Sequence, residues 1–310
     1  LRNLKQNSEG VKYIVLTGPT ASGKTSLIVK IARKFPIEVV SCDSRQIYKF
    51  MDIGTAKPGR NILNTIKHHL IDIKTPDETY SAFQFYTDAK GLLKKIVEKG
   101  KVPIISGGTI LYILSLQRGL FRLPDIPEGI RVEIRDKIEK LGPEKMHEEL
   151  MKVDPERAEK IDPRDRQRIA RSLEIFYATG IPHSEWLRKP HVSPIPLKIF
   201  SIRVEPEILR KRIEERVEDM FKKGWVEEVE NLVNMGYNEK TPGFSSVGYR
   251  EVLEVVRGRL NIDTAMDMIK KKTWQYSRRQ RNFIKSLKGV EYIIDEIAIE
   301  RELEKWLEKR

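Results

Sequence analysis

The chain has 310 residues, 39% hydrophobic and 33% charged, and no low-complexity tract. That length allows about two domains, and that balance excludes a disordered or fibrous chain. A formal net charge of +13 favours a polyanionic partner such as nucleic acid, a basic but non-binding surface being the plainer alternative.

The charge is uneven. Residues 1–120 carry +10, whereas residues 121–200 carry +1. From Lys270 to Lys288 there are eight basic residues and no acid, with Trp274, Tyr276 and Phe283 among them. One cysteine, Cys42, excludes an intrachain disulfide and a cysteine-based zinc site. The opening LRNLKQNSEG lacks the apolar core of a signal peptide. The longest apolar stretch, Val102 to Leu116, is broken by Gly107 and Gly108 and is too short to span a bilayer. A cytoplasmic protein without a membrane partner is expected.

In chain order, Tyr13 to Leu16 predicts a buried strand. GPTASGKT, residues 18–25, follows it and opens a predicted helix from about Lys24 to Phe35. Glu38 to Cys42 and Val102 to Ser106 predict further strands, ending at Asp43 and at Gly107-Gly108-Thr109. Strands alternating with helices imply an α/β fold, a parallel sheet flanked by helices. Ligands sit beyond the carboxyl ends of such strands, so the loop, Asp43 and Thr109 should converge. LPDIPEGIR and KPHVSPIP mark two boundaries, and charged helical segments lie between them. They divide the chain into a core of 11–122 and 198–310 and a helical insertion of 123–197. Gly119, Pro124 and Pro127 would permit a hinge there. Phe200 to Val204 predicts a strand returning to the sheet, and helix dominates from Pro206.

The glycine loop carries the strongest chemical signal. Gly18, Pro19, Thr20, Ala21, Ser22 and Gly23 would turn backbone N–H groups onto phosphate oxygens at a helix N-terminus. Lys24 adds a charge, and Thr25 would ligate Mg²⁺. By motif alone the loop would be described as nucleotide- or ATP-binding. Asp43 would hold Mg²⁺, cap a following helix, or act as a general base. Ser44, Arg45 and Gln46 suit a polar planar ligand such as a base. A nucleotide hydrolase would usually end the Val102–Ser106 strand near an Asp; Gly-Gly-Thr there suits a diphosphate, or is a plain turn.

In DPRDRQRIARSLEIFYATG, Asp162 would cap a helix opened by Pro163. Arg164, Arg168 and Arg171 would share one face, against phosphodiesters or solvent, and Ile169, Leu173 and Phe176 another. In LRKRIEERVEDM, Leu209, Ile213, Val217 and Met220 form an apolar stripe flanked by Arg212 and Arg216. Arg216 would pair with Glu215 or a nearby glutamate, or reach a diphosphate. His68 and His69 lack a third ligand at metal spacing and read as a turn before a strand.

Taken together these stretches resemble the tRNA dimethylallyltransferase family, which prenylates adenosine at tRNA position 37. The matching text is GPTASGKT, DSRQIYKFMDIGTAKP, HHLIDI, GGTILY, DPRDRQRIARSLEIFYATG, RIEERVEDM and VGYRE, with YSRRQRNFIK matching more loosely. The resemblance implies a P-loop NTPase-like core whose loop holds the diphosphate of dimethylallyl diphosphate, not the end phosphate of ATP. It implies Asp43 as general base, with Thr109 and Arg216 near the substrates. It places Asp43, Ser44, Arg45, Gln46, Thr109, Arg131, Gln167, Arg168, Ile169, Ala170, Arg171, Arg278 and Arg279 where the family contacts the tRNA anticodon stem-loop. It implies Mg²⁺ on Thr25 and a monomer. No zinc-finger tail follows, so the bacterial-type form is expected. Three rivals remain: a prenyltransferase of free adenine nucleotides, a small-molecule kinase, and a non-enzymatic RNA-binding protein with a relic loop.

Overall fold

The computed structural model describes residues 12–120, 125–188 and 192–308. The chain divides into two compact units, Leu1–Gln117 with Ile195–Arg310, and Arg118–Pro194. Residues 1–11, Leu123 and Pro124 of the first expected boundary, and residues 189–191 of the second lie outside the described residues.

The larger unit is built on six parallel strands: β1 (Tyr13–Thr17), β2 (Ile37–Ser41), β3 (His68–His69), β4 (Val102–Ser106), β5 (Leu197–Ile202) and β6 (Val290–Ile293). Their order is β3-β2-β4-β1-β5-β6. The central strands are almost wholly apolar because helices cover both faces of such a sheet. The expected α/β sheet is therefore present. The predicted Phe200–Val204 strand begins earlier, at Leu197, because all five residues of β1 pair with 197–201. His68 and His69 are not a turn before a strand; they are β3, paired with Val39 and Val40. His69 Nε2 lies 2.7 Å from Glu38 Oε2. The Lys24–Ala32 helix stops short of Phe35, where the chain turns at Pro36 into β2.

Register brings the working ends of three strands together. Ser41 and Leu16 both pair with Ser106, so β1, β4 and β2 end level. Cys42 N–H donates to Ser106 O at 2.8 Å, Gly107 N–H to Leu16 O at 3.2 Å, and Thr17 Oγ1 to Gly107 O at 2.9 Å. Gly107 sits so close to β2 that a Cβ there would lie 2.1 Å from Cys42 O.

The smaller unit is helical: Glu128–Leu141, Pro143–Val153, Pro155–Ala158, Arg166–Thr179 and His183–Arg188. Its own core includes Ile134, Ile138, Met146, Leu150, Ile169 and Leu173. Asp162 does not cap the fourth helix. Asp162-Pro163-Arg164-Asp165 forms a turn closed by Asp165 N–H to Asp162 O at 2.8 Å. Asp165 takes the cap, accepting from Arg168 N–H at 3.1 Å. No helix among the described residues is long and apolar enough to cross a membrane.

Gly107→Ala should lose about 1–3 kcal/mol through overpacking of the β2–β4 junction. Urea unfolding of the variant beside the parent chain measures this.

Candidate active site

The phosphate loop follows β1 directly. Gly23 caps the Lys24–Ala32 helix in the left-handed region, at φ 96°, and supplies no capping side chain. The first intrahelical bond runs from Leu27 N–H to Gly23 O at 3.1 Å. The N–H groups ahead of it have no partner within the helix, and its first turn holds no acid. Free N–H groups at a helix N-terminus are the kind of donors that take an anion. Lys24 Nζ, half-buried, bends back to donate to Gly18 O and Pro19 O, both at 2.9 Å. Burial, then the charge of Arg216, pulls the Lys24 pKa down to about 8, and Asp43 opposes the shift.

Asp43 stands just past β2. No helix follows it, so the capping alternative is not what the chain builds. Oδ1 instead accepts Arg45 N–H at 2.9 Å, closing a short turn. Thr109, just past β4, fixes the same turn: its hydroxyl accepts Ser44 N–H at 2.9 Å and lies 3.3 Å from Ser44 Oγ. Thr109 thus ties the end of β4 to the turn that carries Asp43. Arg216 comes from the Pro206–Lys222 helix, whose Leu209, Ile213 and Val217 are buried and aim it at the loop. It does not pair with Glu215, which faces Lys211 at 4.0 Å. Its Nη1 lies 3.3 Å from Thr20 Oγ1. Burial lowers the Arg216 pKa, and Asp43 partly restores it.

Thr20, Asp43 and Arg216 line one cavity of about 100 Å³. Its remaining wall is largely apolar, from Val217, Met220, Trp225 and Ile269. Tyr276 also borders it, its hydroxyl pKa pushed up to about 12 by burial and by Asp43.

Three residues that hold the site together escaped the sequence reading. Gln280 is buried; its Oε1 accepts Thr20 N–H at 2.8 Å and its Nε2 donates to Gly108 O at 2.9 Å. It ties the phosphate loop to the β4 turn. The signal was a glutamine on the buried stripe with Ile269 and Ile284 in the Ile262–Ile284 helix. Glu228 accepts backbone N–H groups of Asp52, Ile53 and Gly54 at 2.7, 2.6 and 3.2 Å. Tyr249 OH donates to the same carboxylate at 2.7 Å. Nothing local in the sequence announces this long-range nest.

The expected tRNA-contacting residues are dispersed. Arg45 Nη1 donates to Ser245 Oγ at 2.8 Å, and Gln46 Nε2 to Ala56 O at 3.1 Å. Arg278 and Arg279 are exposed on the Ile262–Ile284 helix. Within the block from Lys270 to Lys288, only Lys270 and Lys272 form ion pairs among the described residues, with Glu218 and Glu251. In the helical unit, Gln167 and Arg168 are exposed and Ala170 half-buried. Arg131 and Arg171 pair with Glu128 and Glu174 at 3.4 and 3.1 Å. Ile169 is fully buried in that unit's core, so its side chain is packing, not a contact. Arg164 lies before the helix, so it does not continue the Arg168–Arg171 face.

The family model described as IPP transferase matches residues 46–287. This chain belongs to that family. The tRNA dimethylallyltransferase of Thermosipho melanesiensis is 40% identical over 296 residues, 95% of this chain and 97% of that protein. That of Nitrosospira multiformis is 46% identical over 216 residues, 69% of this chain and 67% of that one. Among solved structures, a tRNA isopentenylpyrophosphate transferase of Staphylococcus epidermidis is 32% identical, with a TM-score of 0.66 over 97% of this chain and 100% of that one. A eukaryotic dimethylallyltransferase acting on tRNA is 27% identical, with a TM-score of 0.77 over 93% and 75%. Membership makes the chain a transferase.

Gln280→Leu should leave Thr20 N–H and Gly108 O unpaired and cost about 1–3 kcal/mol for each group that stays buried. Denaturant unfolding reads the loss.

Proposed function

We propose that the chain transfers the dimethylallyl group of dimethylallyl diphosphate to N6 of the adenosine at tRNA position 37, beside the anticodon, releasing diphosphate. The observation that carries this reading is Asp43 sharing one cavity with Arg216 and with Thr20 of the phosphate loop. A carboxylate beside an anion cradle suits alkyl transfer to a weakly nucleophilic amine. N6 attacks C1 of the allylic group, the C1–O bond breaks, and diphosphate leaves with the electron pair. Asp43 accepts the N6 proton as attack proceeds. Lys24, Arg216 and the loop N–H groups take up the charge that gathers on the leaving group.

Magnesium fits the residues present. Thr25 is exposed at the start of the loop helix. No cluster of three His, Cys, Asp or Glu side chains among the described residues could hold a metal. The ion would therefore be held by Thr25 and completed by phosphate oxygens, as Mg²⁺ commonly is. When bound, it supplies Lewis-acid stabilisation of the diphosphate.

The target base must leave its stack to reach Asp43, an extrusion costing a few kcal/mol. The unpaired cations of the block from Lys270 to Lys288 supply phosphate contacts toward that cost. Arg131 and Gln167 to Arg171 of the helical unit extend the proposed tRNA surface, through side chains other than Ile169. A cytoplasmic setting accords with that substrate.

The deciding experiment supplies labelled dimethylallyl diphosphate with Mg²⁺ to three acceptors: tRNA with adenosine at 37, the same tRNA with guanosine there, and free AMP. Label in the first alone is expected. Label in AMP alone would instead make the chain a nucleotide prenyltransferase.

Asp43→Asn should lower turnover by roughly 10²–10⁴, the usual range for a general base. Binding of inorganic diphosphate should change little, which equilibrium dialysis measures.

Lys24 gives a pH signature. Below about pH 8 it carries the charge that attracts diphosphate, and above that value the free protein loses it. The ratio kcat/KM for the allylic diphosphate should fall as pH rises through that point. Lys24→Arg, which stays charged, should remove this inflection from the pH–rate profile.

A further inference from the structure

Another cavity, of about 320 Å³, opens on the β5–β6 side of the phosphate loop, and the proposed reaction does not use it. Small-molecule sites of about 300–1,000 Å³ combine apolar walls with a few placed polar groups. Here Pro19, Val204 and Ile284 supply the apolar wall.

Strand register supplies the floor. Thr17, Ser201 and Tyr292 are aligned across β1, β5 and β6, so their side chains leave the same face of the sheet. The Thr17 hydroxyl donates to Gly107 O. The Ser201 hydroxyl has no such use. The residue is 2% exposed, lines the cavity and forms no side-chain hydrogen bond among the described residues. Tyr292, half exposed, brings an aromatic ring to the rim.

The Ile262–Ile284 helix and the residue after it supply charge. Arg281 and Lys285 stand one turn apart and both line the cavity. Neither forms an ion pair among the described residues, although like charges four positions apart weaken a helix. The Arg281 guanidinium lies 5.2 Å from the Trp274 ring centroid, and its Nε is buried without a hydrogen-bond partner. Arg203 adds a third cation, held only by Glu205 at 3.7 Å, where both side chains are largely exposed. Buried polar groups are normally paired, so an orphaned hydroxyl and an orphaned guanidinium N–H at one cavity call for a partner from outside the chain.

We propose that this cavity is a nucleotide site separate from the phosphate loop, taking a nucleoside monophosphate unit. The phosphate lies on Arg281, Lys285 and Arg203. The base lies against the Tyr292 ring and Ile284, with an edge atom bonded to the Ser201 hydroxyl. A phosphate with a hydrocarbon tail would match the cations equally well but would leave Ser201 unpaired, so the floor favours a base. The unit comes from a free nucleotide or from an RNA strand, whose chemistry is the same here. The inference does not depend on the alkyl-transfer reading.

The test titrates AMP into the full chain by calorimetry, with saturating inorganic diphosphate and Mg²⁺ present to occupy the loop. AMP should still bind, and adenosine should bind roughly tenfold more weakly or worse. Arg281→Gln combined with Lys285→Gln should weaken AMP by roughly tenfold or more, and Ser201→Ala by several-fold, with diphosphate binding unchanged. Thermal unfolding checks each variant; Lys285→Gln alone, at an exposed side chain, keeps the test open if the double variant does not fold. Displacement of AMP by a short single-stranded oligoribonucleotide would uphold the site and assign it to RNA. Binding without displacement would uphold it for free nucleotides. The proposal is overturned by AMP that binds only when diphosphate is absent, by AMP binding that survives the substitutions in a folded variant, or by geranyl monophosphate binding as tightly as AMP. A chain that binds AMP here yet transfers no dimethylallyl group would overturn the alkyl-transfer reading alone.

Discussion

The approach of Gly107 to the carbonyl of Cys42 sets the distance between β4 and β2, and the site depends on it. A side chain at that glycine would lie 2.1 Å from the carbonyl oxygen, so β4 could not hold its place beside β2. With the strands level, the loop after β1, the Asp43 turn after β2 and Thr109 after β4 leave the sheet side by side. Parallel sheets hold their ligands at this edge. The hydrogen bonds from Cys42 to Ser106 and from Thr17 to Gly107 lock the junction on both sides of β4.

On that frame the protein assembles an electrostatic imbalance. Lys24 and Arg216 are both drawn toward neutrality by burial, and the Asp43 carboxylate opposes that shift in both. An anion entering the loop relieves the same strain. Preorganised cations of this kind stabilise charge where it develops without reorganising at that moment. Gln280 and Glu228 keep the walls still: one bridges loop and β4 turn, and the other gathers three backbone N–H groups. Rigid support of this kind distinguishes a working site from a collection of suitable side chains.

Local chemistry made much of this legible. Continuous apolar runs mark β1, β2 and β4, and a glycine loop between strand and helix has few structural meanings. The convergence of Asp43, Thr109 and the loop follows from strand ends alone. What stayed hidden depends on distant pairing. β3 is two histidines that become a strand only because β2 offers an edge. The cap at Asp165 rather than Asp162 depends on how a proline turn closes. Ile169 fell inside a contact segment by resemblance, yet helical periodicity alone assigns it to the core with Leu173. Gln280 and Glu228 act across 260 and about 175 positions, and no window along the chain contains both partners.

The larger unit closes on itself where the helical segment leaves and returns. Leu116 O accepts Ile195 N–H at 2.8 Å, so the main chain is already stitched together where residues 118–194 leave and return. The β-sheet does not route any strand through that excursion. Segments attached at a closed seam tolerate exchange, because the parent fold loses no backbone pairing when they change. A change in the length or charge of the helical module would therefore leave the backbone pairing of the sheet edge in place.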